Sequence, residues 1–217
     1  MKKSVKALLL VMCAIVLVVA TVFTTLAYMT SKTETIKNTF TFGNISITLD
    51  EAAVDKYGNL LNTEGTIYNQ EADDTLAERV TEGTQEYKLV PGNDYTKDPT
   101  IHVGTGSEDA WVFVQVKNNL PENITDGLVV DTTAGKWTKL SENGETAVYY
   151  REYTVGDPVV DYPVFTATTF KVNNVNDAAL ATVSGKSVDI TGFAIQKDDT
   201  INSAQDAWNA VAAQYNG

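Results

Sequence analysis

The chain has 217 residues and a formal charge of −12, from 28 acidic and 16 basic residues, with one cysteine and one histidine. Lys2, Lys3 and Lys6 fall in an N-terminal export segment, which leaves the remainder with 13 basic against 28 acidic residues, a net −15. Such a surface repels nucleic-acid phosphates and anionic lipid headgroups, so neither is an expected partner.

The first 27 residues read as a secretory signal. A basic start (Met1 to Lys6) precedes the apolar run Ala7 to Ala20, and Thr25 and Ala27 place small residues before a cleavage point at Tyr28. The rival is an uncleaved anchor, since no charge appears between Lys6 and Lys32 and the stretch is long enough to span a bilayer. Any membrane association is expected only through this uncleaved segment. Cys13 lies inside it, so the exported part carries no disulfide and no thiolate site. A disulfide-free exported domain of this size fits a Gram-positive exoprotein better than an animal one.

Residues 28–38 are polar, Thr-rich and without a core pattern, a flexible leader or an unpaired strand. Residues 39–217 are expected to form the folded domain. Thr39 to Leu49 alternates with period two, and its apolar parity flips from Phe40 and Phe42 to Ile45, Ile47 and Leu49 across Gly43-Asn44. One extra residue there is what a β-bulge supplies. Residues 51–86 form a long acidic insertion, with a short helix expected near Asp73 to Arg79 or a partly mobile loop.

Strand signals then recur. Tyr87 to Val90 ends at Pro91-Gly92, and Thr100 to Val103 follows Asp98-Pro99. Ala110 to Lys117 is apolar on both faces, as a central strand is. Lys136 to Leu140 and Thr146 to Val155 flank Glu142-Asn143-Gly144-Glu145, a hairpin turn by its Asn-Gly pair. Tyr162 to Val172 and Lys186 to Gln196 complete the set, the latter shifting parity at Gly192. A helix is expected over 203–214, with Ser203 as N-cap, Asp206 three residues later and Trp208 laid against the sheet. The fold class is all-β: a jelly-roll or Ig-like β-sandwich with a long insertion and a short C-terminal helix.

The search for chemistry is spare. His102 sits in a strand pattern with no HExxH, so a zinc site would need carboxylates for its other ligands, and there is no GxSxG elbow. The carboxylate pairs Asp50-Glu51, Asp73-Asp74, Glu108-Asp109 and Asp198-Asp199 read as surface charge rather than a glycosidase pair. No catalytic or metal residue and no cofactor is assigned; calcium stays open because the loops are rich in oxygen ligands, although no DxDxDG spacing occurs. Trp111 and Trp208 read as core, while Tyr149, Tyr150 and Tyr153 alternate along one strand and put some rings outward, leaving a glycan-binding role open. Leu120-Pro121-Glu122-Asn123 begins like a sortase signal but is internal and lacks the rest.

Three stretches carry a family resemblance: Leu26 to Ser31, Asn38 to Glu51 (NTFTFGNISITLDE), and Lys88 to Thr100 (KLVPGNDYTKDPT) leading into AWVFVQV. A terminal FAIQ followed by an Ala/Trp helix adds to them. Together they resemble the secreted Gram-positive proteins processed by the SipW-type signal peptidase, the TasA and camelysin group. Residues 52–86 and 156–185 match nothing in that pattern. The resemblance implies a jelly-roll-like sandwich and, for TasA-type members, an extracellular biofilm-matrix role in which one subunit's N-terminal segment pairs as a donor strand with the next. Thr33, Thr35, Ile36, Phe40 and Phe42 are then the candidate assembly residues, with Ile36 the main apolar anchor. The expected partner is a second copy or another matrix protein, and no enzymatic activity is expected. Camelysin-type members are classed as metallopeptidases, and no ligand set here supports carrying that activity over. It stays an alternative, as does a surface adhesin or glycan binder.

Overall fold

Thr39 to Phe42 lie outside, and the expected bulge at Gly43-Asn44 on the border of, the part of the chain that the computed structural model describes, residues 44–215 apart from Asp73 and Glu122. These residues form ten strands and two α-helices, and every strand pairing is antiparallel. The strands are β1 (Ile47–Asp50), β2 (Asp94–Thr96), β3 (Thr100–Val103), β4 (Ala110–Asn118), β5 (Thr125–Asp126), β6 (Thr138–Asn143), β7 (Thr146–Tyr153), β8 (Asp161–Pro163), β9 (Thr169–Val172) and β10 (Val188–Gln196). The helices are α1 (Asp177–Leu180) and α2 (Ala204–Tyr215). The all-β reading holds.

Three sheets divide the strands, in the orders β1-β3-β8, β10-β4-β7-β6 and β2-β9-β5. β4 is paired along its length by β10 and β7, and it is apolar on both faces because each face is covered. Its even residues Ala110, Val112, Val114 and Val116 pack with Ile101, Val103 and Tyr162 of the three-stranded sheet and with Val164 just beyond β8, so those two sheets enclose the main core. Its odd residues Trp111 and Phe113 face the other way, under Ala204, Ala207 and Val211 of α2. The third sheet has its own small core of Tyr95, Phe170 and Val172, with Tyr95 stacked on Phe170 at 5.4 Å.

The parity change at Gly192 now has a physical cause. β10 runs in unbroken register with β4, so no residue is inserted. Val188, Ile190 and Ala194 face the main core, while Phe193 and Ile195 face α2. The outward positions Asp189 and Thr191 are exposed and turn apolar only where the helix covers them. Gly192 sits on the inner face, where a Cβ would come within 3.1 Å of Ile101 Cδ1 and that side chain would have to shift by a few tenths of an ångström. The helix start is as expected: Ser203 Oγ accepts from Asp206 N–H at 3.1 Å and donates to Asp206 Oδ2 at 2.6 Å. Trp208 packs on Phe113 at 5.3 Å and Phe193 at 5.5 Å.

Four expectations need correction. Tyr87 to Val90 is extended but joins no sheet, because its side chains serve the small core and its Lys88 N–H goes to Lys56 O. Tyr162 to Val172 is not one strand; it breaks after Pro163 and its halves enter different sheets. The hairpin turn is displaced by one residue: Asn143 pairs with Thr146, so Gly144 (φ +59°) and Glu145 form the two-residue loop. Residues 74–79 form no helix. A single 3₁₀ turn at Gln70–Ala72 precedes them, and the insertion is held instead by isolated bridges such as Leu61 to Ile67 and Asn62 to Leu76.

β6 is an outer strand of the four-stranded sheet, almost wholly exposed, with a register irregularity between Lys139 and Ser141 and a Lys139 to Glu142 ion pair at 2.7 Å. Both features disfavour pairing with another chain.

Candidate functional site

Backbone geometry, rather than a set of reactive side chains, distinguishes one region. At the ends of β10, Asn119 N–H bonds Ser187 O at 3.2 Å and Lys197 N–H bonds Asp109 O at 2.8 Å. Odd residues of β10 therefore bond to β4, and the even ones, Val188, Ile190, Gly192, Ala194 and Gln196, turn N–H and C=O to the opposite side. β1 shows the same pattern. Gly104 N–H bonds Ser46 O, so even residues face β3 while Ile47 and Leu49 turn their backbone outward. Among the described residues no strand pairs with either outer edge.

Both edges border one cleft of about 690 Å³. Leu49 to Glu51 line it from β1, Ser187 to Ile190 from β10, and the segment Val80 to Tyr87 from the insertion. Its apolar side chains include Leu89, Leu128 and Phe170. Among the described residues each open edge carries backbone groups that pair with no strand, next to apolar surface, the condition under which an added extended segment satisfies hydrogen bonds and buries side chains together. Lys97 is 9% exposed at the cleft wall, with its Nζ 3.0 Å from both Glu51 carboxylate oxygens. Burial, with Glu51 and Asp98 adding repulsion, raises the Tyr87 hydroxyl above its ordinary range.

The single histidine lies on the outer face of the β1-β3-β8 sheet. Cross-strand register sets His102 beside Asp161, with Nδ1 at 2.7 Å from Oδ1. Its Nε2 lies 3.0 Å from Asp50 Oδ1 outside hydrogen-bond alignment, so that contact is one of charge. Arg79 bonds the same Asp50 oxygen through Nε at 2.5 Å and Asp98 Oδ2 through Nη1 at 2.7 Å. Partial burial opposes the charge on His102, yet the hydrogen bond to Asp161 and the nearby charge of Asp50 raise its pKa above 6.5. Partial burial likewise opposes the charge on Asp50, while Arg79 and then His102 hold it below 3.8. With both nitrogens turned to carboxylates, the charged form of His102 is favoured over metal ligation. Among the described residues no group of three His, Cys, Asp or Glu side chains is arranged to hold a metal ion.

These two shifts define a pH window. The His102 contribution is complete below pH 6.5 and fades as pH rises through the folded value; that of Asp50 is present above pH 3.8 and is lost as pH falls through its folded value. His102→Gln is expected to cost about 1 kcal/mol near pH 5.5 and less near pH 8.5, solvent screening keeping the figure small. Urea midpoints of both proteins at the two pH values measure it, and a cost that grows with pH would refute the charged-histidine assignment.

The other carboxylates serve turns and ties. Asp109 Oδ1 accepts from Val155 N–H at 2.7 Å, Glu108 accepts from Gln196 at 2.6 Å, and Asp198 accepts from Thr200 and Ile201 within its own turn. Asp74 holds Asn62 and the Asn69 N–H. The three tryptophans are packed: Trp111 and Trp137 are buried, and Trp208 of α2 lies against Phe113 and Phe193 of the sheet. The expected outward tyrosines are corrected too. Tyr153 is buried, Tyr149 packs toward the main core, and Tyr150 meets Trp111 edge-on at 5.7 Å.

The cleavage residues Thr25, Ala27 and Tyr28 and the candidate assembly residues Thr33, Thr35, Ile36, Phe40 and Phe42 lie outside the described residues. Sequence reasoning missed the facing edges, which no residue pattern marks, because they exist only once strand order and register are set. Comparison with family models, with curated proteins and with solved structures finds no match to this chain.

Proposed function

We propose that this chain is an exported extracellular structural subunit that assembles by β-strand addition, in the manner of the SipW-processed TasA-like proteins it resembles. One observation carries the reading: two outer strand edges, β1 and β10, border a single cleft without a strand between them. The facing sheets support a jelly-roll or Ig-like sandwich whose β1 and β10 edges lie close together beside the cleft. The occupant is the leader of a second copy, residues 28–38. Extended, it spans about 36 Å, enough to run the roughly 30 Å length of β10. Its Thr33, Thr35 and Ile36 are β-branched and suit a sheet. Removal of the signal segment frees the leader, so processing is the switch. The product lies outside the cell, as a biofilm-matrix or surface fibre, alone or with another matrix protein. With a net charge of −15 on the processed chain, salt, divalent cations or acid promote assembly by reducing self-repulsion.

Two variants test this. A processed chain lacking residues 28–38 is expected to stay folded and monomeric. Ile190→Pro removes an N–H from the open edge of β10 without touching the ladder to β4, and is expected to stop filament formation with circular dichroism unchanged. Electron microscopy and sedimentation at physiological salt provide the readout. Filaments formed by both variants as readily as by the parent would defeat strand addition.

A further inference from the structure

Resting on the strand-addition reading, we propose that the strap Thr81–Tyr87 is a lid over the open slot, latched by the side chain of Gln85. The strap is anchored at both ends. Before it, Val80 and Glu51 exchange two backbone hydrogen bonds, of 3.0 and 2.7 Å. After it, Lys88 N–H bonds Lys56 O at 2.7 Å. Between those anchors, no backbone–backbone hydrogen bond joins Thr81–Tyr87 to the other described residues, although the whole segment lines the cleft beside Leu49 and Ile190.

Two side chains turn inward from the strap. Tyr87 belongs to the small core and donates its hydroxyl to Thr96 O at 3.0 Å, so it fixes the C-terminal end. Among the described residues Gln85 is the one polar side-chain tie in the middle: Nε2 donates to Glu51 Oε2 at 3.1 Å and Oε1 accepts from Val54 N–H at 3.1 Å. Thr81, Glu82, Gly83, Thr84 and Glu86 are all exposed. A segment with so few ordered hydrogen bonds has low local stability and opens without the rest of the fold.

The latch is separable from its surroundings. Glu51 keeps both contacts to Lys97 Nζ and its backbone bridge to Val80 when Gln85 lets go. Closed, the strap shields apolar cleft surface and the two bare edges in an unassembled subunit. Open, it clears the path by which an incoming extended segment reaches β10. The lid sets the rate of strand entry, while the slot sets its affinity.

Gln85→Ala in the full chain removes both side-chain bonds and leaves the backbone anchors. Glutamate-specific proteolysis, mapped by mass spectrometry, is expected to cut at Glu82 and Glu86 at least tenfold faster than in the parent, with cutting at Glu64 and Glu78 unchanged. A labelled peptide of the sequence YMTSKTETIKN is expected to associate several-fold faster with the variant. Equal cleavage in both proteins, or peptide binding at equal rates to both, overturns the lid alone. Accelerated cleavage with no peptide binding to either protein overturns strand addition, and the lid's role with it.

Discussion

Phe113→Ala is expected to lower the unfolding free energy by about 3–5 kcal/mol, the usual range for emptying a buried aromatic site. Phe113 is fully buried at the centre of β4, with Phe193 beside it on β10 and Tyr150 beside it on β7. Its ring meets Trp208 of α2, so the cavity opens between a sheet fixed on both sides and the helix that covers it. Neither wall can collapse freely. Against a total stability of about 5–15 kcal/mol for a domain, the loss is large. Urea unfolding followed by tryptophan fluorescence measures it, since Trp208 and Trp111 both report on that layer. A loss under about 1 kcal/mol would mean that α2 is not docked as described.

Gly58→Ala is expected to cost about 3 kcal/mol or more, combining backbone strain with overpacking. Gly58 has φ +77°, and a Cβ there would stand 2.7 Å from Tyr95 Cα and 2.8 Å from Tyr95 Cβ. Backbone cannot step aside as a flexible side-chain tip does. The turn that contains Gly58 would lift off β2, breaking the Thr96 N–H to Gly58 O bond of 3.2 Å and loosening the Tyr87–Tyr95–Phe170 cluster. Gly65→Ala is the matched control: φ is +76° but nothing lies within 4 Å, so only the strain of about 1 kcal/mol remains. Thermal melts of the two variants separate contact from conformation, and equal losses would contradict the packing of the turn on Tyr95.

Local chemistry made the long elements readable before any coordinates. β3 and β4 announced themselves by side-chain alternation and by a run apolar on both faces, and α2 by its cap and its Ala207–Trp208–Val211 spacing. What failed depended on partners remote in sequence. Tyr87 to Val90 has strand composition, yet a ladder needs a neighbouring strand, whereas Lys88 gives its N–H to the loop carbonyl of Lys56 and its own carbonyl to the Tyr95 hydroxyl. Residues 161–172 alternate as one strand would, and the break after Pro163 is decided by which sheet each half meets. The four-residue α1, capped by Asn176 accepting from Ala179 N–H, is too short for periodicity to register. The ion cluster was hidden for the same reason: His102 and Asp161 are 59 positions apart and meet by register alone. The acidic pairs were visible, but their tasks in turns were not.

β6, with its displaced register and its Lys139–Glu142 pair, is unsuited to receiving a neighbour, whereas β10 carries no such protection. If subunits join by the proposed strand addition, each copy would have a reactive pole and an inert flank. Copies joined through unlike surfaces would not close into a symmetric pair by self-complementarity and would propagate as a polar thread with distinguishable ends. The inert flank would also keep neighbouring threads from fusing laterally, so that thickness would be set by one molecule.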